Sequence, residues 1–571
     1  MDRQTPTGPL TILPNHTRRL SNEDATEYTI TSATAMADVV RSTLGPEGMD
    51  TMLVTSHGNV LVTNDGSTLL QELHVTNPAA RLVADVASTQ AAEASDGTTT
   101  AVVLAGELLR RASGLLDQGL HPTTVAEGYR AATARAVDLV DEQAVTIDPG
   151  DDAELTRVAA TAMTGTTTEQ HADALRPLAV EAVRKVTVES DGNRIVDLHS
   201  LHIESSEVGG HPGDSALLDG AVVFADPVHE AMPTSVEHAD VLLLDHPLEP
   251  AEPTVDATLH VEDVDDHRRF RDGERRQATE IARPILDSGA DVVFCGEHID
   301  EAVQHELARA GILAVRRTRS DDMAFLREVL GGEIYTDPDA IDGDALVTGH
   351  VRRGEGGRAF HVEAAGEATH GVTFLLRGSI RHALNEIERG VEDAIDTVAR
   401  AVSDGVVLPG AGATEVAVAA GVRDHAAGVG GREQLAIEAF ADALEVVPTV
   451  LAENAGLDPI DVLTDLRAAH RDGNERVGLN VRTGALEDAI EAGIYDLPGV
   501  KRQSITAAGE IATFLLKIDD VISADDLTDG DVPDDDENGD GDGLAGPAGG
   551  LAGPTGGAIE SAAAKRRGDG S

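Results

Sequence analysis

The chain has a single cysteine, only four lysines and no apolar run that approaches the length of a membrane span. With one thiol there is no intrachain disulfide and no thiolate metal cluster. Cys295 closes the apolar run Asp291-Val-Val-Phe-Cys295, which predicts a buried core residue rather than a catalytic thiol. None of the lysines, Lys185, Lys501, Lys517 and Lys565, follows a glycine, so the Gly-Lys step of a Walker A loop is missing. His470-Arg471-Asp472 mimics a kinase catalytic loop, but no Asp-Phe-Gly follows it and no strand lysine precedes it; it reads as an exposed turn. The start, Met1-Asp2-Arg3-Gln4 with Pro9 and Pro14 close behind, lacks the apolar region of a signal peptide, so a cytoplasmic location is expected.

Basic residues are few against acidic ones: 44 against 101, a formal charge of −57 over 571 residues. Such a surplus disfavours nucleic acid and anionic lipid as partners. At ordinary ionic strength the like charges repel across the folded surface; near molar salt the screening length falls to about 3 Å and the repulsion largely disappears. The surplus runs through the whole chain, beyond what an acidic tail on an ordinary protein would give, and it predicts adaptation to high salt.

The length predicts several compact units. Helical spacing of apolar residues marks Thr34 to Ser42, Ala79 to Glu93 and Thr99 to Leu116, with a short strand at Asn59 to Thr63. A similar texture returns at Glu415 to Val422 and Leu435 to Leu451. Between them, from about Asp219 to Gly366, strands such as Val241 to Leu244 and Asp291 to Phe294 alternate with helices such as Arg269 to Leu286 and Ile299 to Ala310, the pattern of an α/β unit. After Ile522 the composition turns to Asp, Gly, Ala and Pro, which predicts a disordered tail.

Four short runs concentrate Gly, Asp and Thr at expected loop-to-helix junctions: Thr43-Leu-Gly-Pro-Glu-Gly-Met-Asp50, Thr63-Asn-Asp-Gly-Ser-Thr68, Asp96-Gly-Thr-Thr-Thr100 and Pro409-Gly-Ala-Gly412. Glycines let backbone amides approach an anion, and a helix N-terminus offers unpaired N–H groups to phosphate. Asp96 adds a carboxylate suited to Mg2+. Read singly, each run is equally a turn, a cap or a helix stop; only convergence in space would make them a nucleotide site.

The order and wording of these runs resemble the group II chaperonins, the thermosome and its eukaryotic cytosolic relatives. The resemblance covers Ala33 to Ile522 and includes Thr43-Leu-Gly-Pro, Thr63-Asn-Asp-Gly, Asp96-Gly-Thr-Thr-Thr-Ala-Val-Val, Ala162-Met-Thr-Gly165, Gly311-Ile-Leu-Ala-Val-Arg-Arg317, Leu375-Leu-Arg-Gly378, Val391-Glu-Asp-Ala394 and Ile518-Asp-Asp-Val-Ile522. It implies a multidomain α and α/β chaperonin fold. A mainly helical equatorial ATPase domain would be built from residues 1–147 and 405–523, and a small intermediate domain from 148–215 and 367–404. An α/β apical domain would span 216–366, with a helical protrusion at about 254–289 serving as lid, and a tail would follow at 524–571. It implies Mg-ATP as the ligand, with K+ a further candidate ion, and unfolded client proteins and identical or related subunits of a double ring as partners.

By position, the resemblance assigns nucleotide contacts to Thr43, Leu44, Gly45, Pro46, Asp65, Gly66, Asp96, Gly97, Thr98, Thr99, Thr100, Gly410 and Gly412, with Asn480 near the adenine and Asp496 near the ribose. Asp96 would hold the Mg2+. Asp65 and Asp393 would position and activate the attacking water, although by its sequence alone Asp393 reads as an exposed helix carboxylate beside Glu392. Departures from the family pattern are Ser95 before Asp96, Ala91-Ala92 in place of an acidic pair, Ala411 for a middle glycine, Glu47 for a lysine, and Thr166 where relatives often carry a lysine that senses the γ-phosphate. These leave open a second reading, a ring subunit of weak or absent ATPase activity with a structural or substrate-holding role.

Overall fold

The structure is a computed structural model that describes residues 18–21, 23–54, 60–73, 75–94, 96–165, 167–190, 193–206, 210–250, 264–341, 345–354, 357–366, 371–378 and 381–523. The expected tail, the first residues of the protrusion, Ser95 and Thr166 lie outside them. Residues 20–521 form one compact unit. The chain ends, 1–19 and 522–571, form another, of which only short strand segments at 18–19 and 522–523 are described.

Within residues 20–521 the apolar side chains collect into three cores. The first gathers both ends of the unit: helices Glu23–Arg41, Pro78–Ala94, Thr98–Asp117 and Pro122–Glu142 pack with Ala413–Ala426, Glu433–Leu444, Val446–Asn454 and Pro498–Leu515. Tyr129 sits fully buried in it, its hydroxyl donating to the Leu108 carbonyl at 2.8 Å and its ring edge-on to Phe440 at 5.7 Å. A buried Tyr finds a partner for its hydroxyl because leaving it dry would cost about 1–3 kcal/mol. The helical texture of Leu435 to Leu451 is carried by two helices, broken at Glu445. Pro448, which has no N–H to give to the carbonyl of Leu444, accounts for the break.

The second core lies under a seven-stranded mixed sheet in the middle of the chain, in which Ser235–Leu244 is central. Val292–Cys295 pairs parallel to it and Val347–Arg353 antiparallel. Val292–Cys295 is buried on both faces, as parallel strands with helices outside require, and Cys295 is among its buried residues as expected. The helix Val264–Ser288 touches this core through Ala278, Ala282 and Ile285, while residues 271–277 are exposed, so the Asp272-Gly-Glu-Arg-Arg276 run faces solvent.

The third core joins Asp152–Met163, Ala172–Lys185 and the 24-residue helix Arg381–Asp404 to a three-stranded sheet, Leu201–Ser206, Val372–Arg377 and Ala216–Asp219. The helix Arg381–Asp404 leans on this sheet and on Asp152–Met163, and continues through the short strand Val406–Pro409 into the first core. That single path carries Asp393 from one packed body to the edge of another.

Candidate functional site

A cavity of about 720 Å³ opens where the first and third cores meet. Its size falls in the range that holds a nucleotide-sized ligand. Its wall is built from all four of the separated glycine-rich runs: Thr43 to Pro46, Asp65 and Gly66, Asp96 to Thr100, and Gly412 with Ala411. Asn480, Asp496 and Asp393 also line it. Gly410 is the one expected contact that does not; its N–H is spent on the Ile494 carbonyl at 3.0 Å, and Ala411 takes its place on the wall.

The cradle is the start of the helix Thr98–Asp117. Gly97 caps it at φ 77° and supplies no side chain, so the amides of Thr98 to Thr100 have no side-chain partner at the cap. Only glycine suits this position, since a Cβ would also lie 2.7 Å from Val500 and 2.9 Å from the Ser504 hydroxyl. Asp96, exposed at the lip, accepts from Gly97 N at 2.5 Å and keeps its other oxygen free of protein donors among the described residues. The helix Gly66–Glu72 abuts the same turn: a Cβ on Gly66 would meet Thr99 Oγ1 at 2.3 Å. Gly412, at φ 77°, caps Ala413–Ala426, again without a side-chain donor or acceptor.

The carboxylates divide by what they already do. Asp65 is the N-cap of Gly66–Glu72 and accepts from Ser67 N at 3.2 Å, Thr68 N at 2.9 Å, Ser67 Oγ at 3.1 Å and Thr68 Oγ1 at 2.6 Å. Asp393, half-buried on the helix Arg381–Asp404, has no hydrogen-bond partner among the described residues, and burial together with the charges of Asp96 and Asp65 pushes its carboxyl up to about 8. It is therefore not the solvated surface carboxylate that its neighbour Glu392 suggested. Asp65, Asp96 and Asp393 do not come close enough to hold one ion between them; among the described residues that grouping occurs only at His202, Glu204 and Asp322, away from this cavity. A Mg2+ here would take Asp96 as a protein ligand and depend on phosphate and water oxygens for the rest, the usual arrangement for that ion. The donor set fits: uncapped amides for phosphate, one free hard carboxylate, and a like-charge repulsion that a divalent cation would relieve.

The sequence reading named no basic side chain, yet four line the cavity: Arg176, Arg389, Arg482 and Lys501. Lys501 is clamped between Glu415 and Asp496, the latter at 2.9 Å, with Lys501 and Glu415 both buried. Two carboxylates share one ammonium, so the lysine's affinity for its proton is raised despite burial, while burial and Glu415 push Asp496 upward. Replacing Lys501 with Met leaves the buried Glu415 carboxylate and the partly exposed Asp496 unpaired, and the variant should lose about 3–5 kcal/mol of stability, read as a lowered midpoint in denaturant titrations. Asn480 spends its side chain on its own hairpin, accepting from Arg482 N at 3.1 Å and donating to Glu487. Arg482 is paired to Glu169.

Residues 36–526 match the model of the TCP-1/cpn60 chaperonin family. The chain belongs to that family. Among its relatives, thermosome subunit 2 of Haloferax volcanii is 50% identical over 532 residues, covering 93% of this chain and 95% of that one. Thermosome subunit beta of Halobacterium salinarum is 50% identical over 522 residues, 91% of this chain and 94% of the other. A structure described as the open-state monomer of a group II chaperonin from Methanococcoides burtonii superposes with a TM-score of 0.59 at 36% identity, covering 74% of this chain and all of that one. The fold is the chaperonin fold, and the chain is a chaperone subunit of the group II kind with relatives among halophilic archaea. No helix of this chaperonin among the described residues is long and apolar enough to cross a membrane.

Proposed function

We propose that this chaperonin subunit binds and hydrolyses Mg-ATP in the cavity and uses the cycle to close a built-in lid over unfolded proteins held in a double ring. The observation that carries the reading is the meeting of four runs, distant in sequence, on one helix N-terminus that has no side-chain cap. In it the amides of Thr98 to Thr100 receive the phosphates, Thr43 to Pro46 and Gly412 approach the nucleotide, Asp96 holds the metal, and bound Mg2+ would supply charge neutralisation on the phosphates. Asp65, held rigid by four donors, orients water; Asp393, unbonded, takes its proton. The helix Arg381–Asp404 belongs in this reading to an intermediate domain between an equatorial and an apical one, so hydrolysis is coupled to its approach. K+ would serve as a further counterion in the same cavity.

Ring assembly is supported by an exposed apolar strand pair, Thr51–Val54 against Val60–Thr63, where Met52, Val54, Val60 and Val62, together with Met49 just before it, are 47–69% exposed. Such a patch on one protomer marks an interface. In this reading the exposed stretch of the helix Val264–Ser288 belongs to the lid.

The test of the site is binding. Calorimetric titration in molar KCl should show Mg-dependent ATP affinity, and Asp96→Ala should weaken it about tenfold or more while leaving binding in EDTA unchanged, because one hard ligand is lost from the cation. Equal loss with and without Mg2+ would remove Asp96 from the metal. The competing reading, a passive ring subunit, is favoured by one observation: Asp65 and Asn480 are both engaged in capping their own local structure.

A further inference from the structure

A triphosphate entering this cavity meets Asp65, Asp96 and Asp393 together with Glu386, so it needs cationic protein groups as well as the metal. Of the four basic side chains on the wall, Lys501 is pinned between two carboxylates and Arg482 is paired to Glu169. Arg389 is held differently. Its Nη1 donates to the neutral Thr68 hydroxyl at 3.0 Å, its Nη2 to Glu386 at 2.8 Å one turn back on its own helix, and Asp65 is 3.9 Å away. A hydrogen bond from a guanidinium to a hydroxyl contributes about 1.5–3 kcal/mol, and a half-exposed ion pair between helix neighbours under about 1 kcal/mol. A phosphate offers more than either partner, since both ends of the new bonds are ionised and guanidinium suits phosphate oxygens in paired geometry.

Position follows from the same contacts. Thr68 lies in the first turn of the helix Gly66–Glu72, whose Gly66 packs on Thr99, so the guanidinium stands on the side of the cavity that carries the amide cradle. On the helix Arg381–Asp404, Arg389 and Asp393 are four residues apart and share a face. Gly390 fixes that face: a Cβ there would lie 2.1 Å from Thr168 Oγ1, and Thr168 is fully buried, so the helix cannot turn about its axis at this point.

We infer that Arg389 is the ligand of the terminal phosphate, the group by which this subunit distinguishes a nucleoside triphosphate from a diphosphate and draws Asp393 toward it. The inference rests on the Mg-ATP reading above. Thr166 carries no charge, and Arg389 supplies one at this wall. Arg389 leaves Thr68 and Glu386 for the terminal phosphate, and the helix that carries it brings the Asp393 carboxylate with it.

The experiment is calorimetric titration of the assembled protein in molar KCl with Mg-ADP and with a non-hydrolysable Mg-ATP analogue. The proteins compared are wild type, Arg389→Ala, Arg389→Lys and Arg176→Ala. Arg389→Ala should bind the triphosphate analogue about tenfold or more weakly and ADP within about twofold of wild type, with Arg389→Lys intermediate. Unchanged ADP affinity shows that the fold and the cradle are intact. Equal weakening of both nucleotides would make Arg389 structural and overturn the inference. So would a triphosphate-selective loss in Arg176→Ala alone, since the Nε of Arg176 is buried without a partner and it lines the same wall. If wild type binds neither nucleotide, the Mg-ATP reading itself fails and this inference falls with it; if wild type binds both and Arg389→Ala matches it, only the inference fails.

Discussion

Asp393→Ala should bind Mg-ATP within a few-fold of wild type and turn it over about a hundredfold or more slowly, because a group acting on the attacking water contributes mainly in the transition state. Single-turnover hydrolysis in molar KCl, set beside calorimetric binding, reads the two effects separately. The structure adds a pH dependence. In the cavity without nucleotide the Asp393 carboxyl is pushed up to about 8 by burial first and by Asp96 and Asp65 second. It accepts a proton only when ionised, so turnover should rise with pH through its apparent pKa. Bound Mg2+ favours the charged form and moves that rise below 8. Stability runs the other way. The unfolded carboxyl ionises near pH 4 and the folded one near 8, so folding takes up a proton in between, and stability declines as pH climbs through that window. Asp393→Asn, which cannot ionise, should equal wild type near pH 4 and exceed it at pH 8 by about 1–3 kcal/mol, less than the full shift because the carboxyl is not wholly buried. Thermal melting without nucleotide across that range measures the gap. If wild type and Asp393→Ala turn over ATP equally slowly, the passive subunit is the better reading.

What could be seen in the residues alone was whatever depends on neighbours in sequence. Asp96-Gly97-Thr98 announces a left-handed glycine before a helix, and the structure has one, at φ 77°. Asp65 before Gly66-Ser67-Thr68 announces a cap, and it caps. The apolar texture around Pro448 does not show where one helix ends and the next begins, because periodicity is blind to a missing amide. The cations of the site were illegible for a different reason. Lys501 finds Glu415 86 residues away and Arg389 finds Thr68 321 residues away, and no local pattern encodes such pairings. The face that Asp393 shows is decided by Gly390 packing on Thr168, again a contact between distant segments. Resemblance to a family reached these carboxylates but not their charge partners, which side-chain geometry alone supplies.

The second large effect concerns salt. With 101 acidic against 44 basic residues, the chain should keep its fold and its assembly in molar KCl and lose both as salt falls to about 0.1 M, where the screening length grows to about 10 Å. The ion pairs visible here do not prevent this. Most are exposed and contribute little. Buried exceptions are the Lys501–Glu415 pair of the cavity and Glu445, 1% exposed, which takes both Arg423 and Arg467 while Arg423 also reaches Asp442 at 2.7 Å. The Glu445 network ties the helices Ala413–Ala426, Glu433–Leu444 and Pro459–Arg471 together and is screened far less than the surface. The surface should therefore drive the transition, with the first core yielding last. Light scattering and circular dichroism across a KCl series follow the two steps, and a parallel series in sucrose separates the causes. Sucrose strengthens burial by exclusion but leaves charges unscreened. Rescue at low salt by sucrose as complete as rescue by KCl would show that repulsion is not what unfolds the protein. A persistent monomer in molar KCl would remove the ring from the proposed function while leaving the nucleotide site to its own tests.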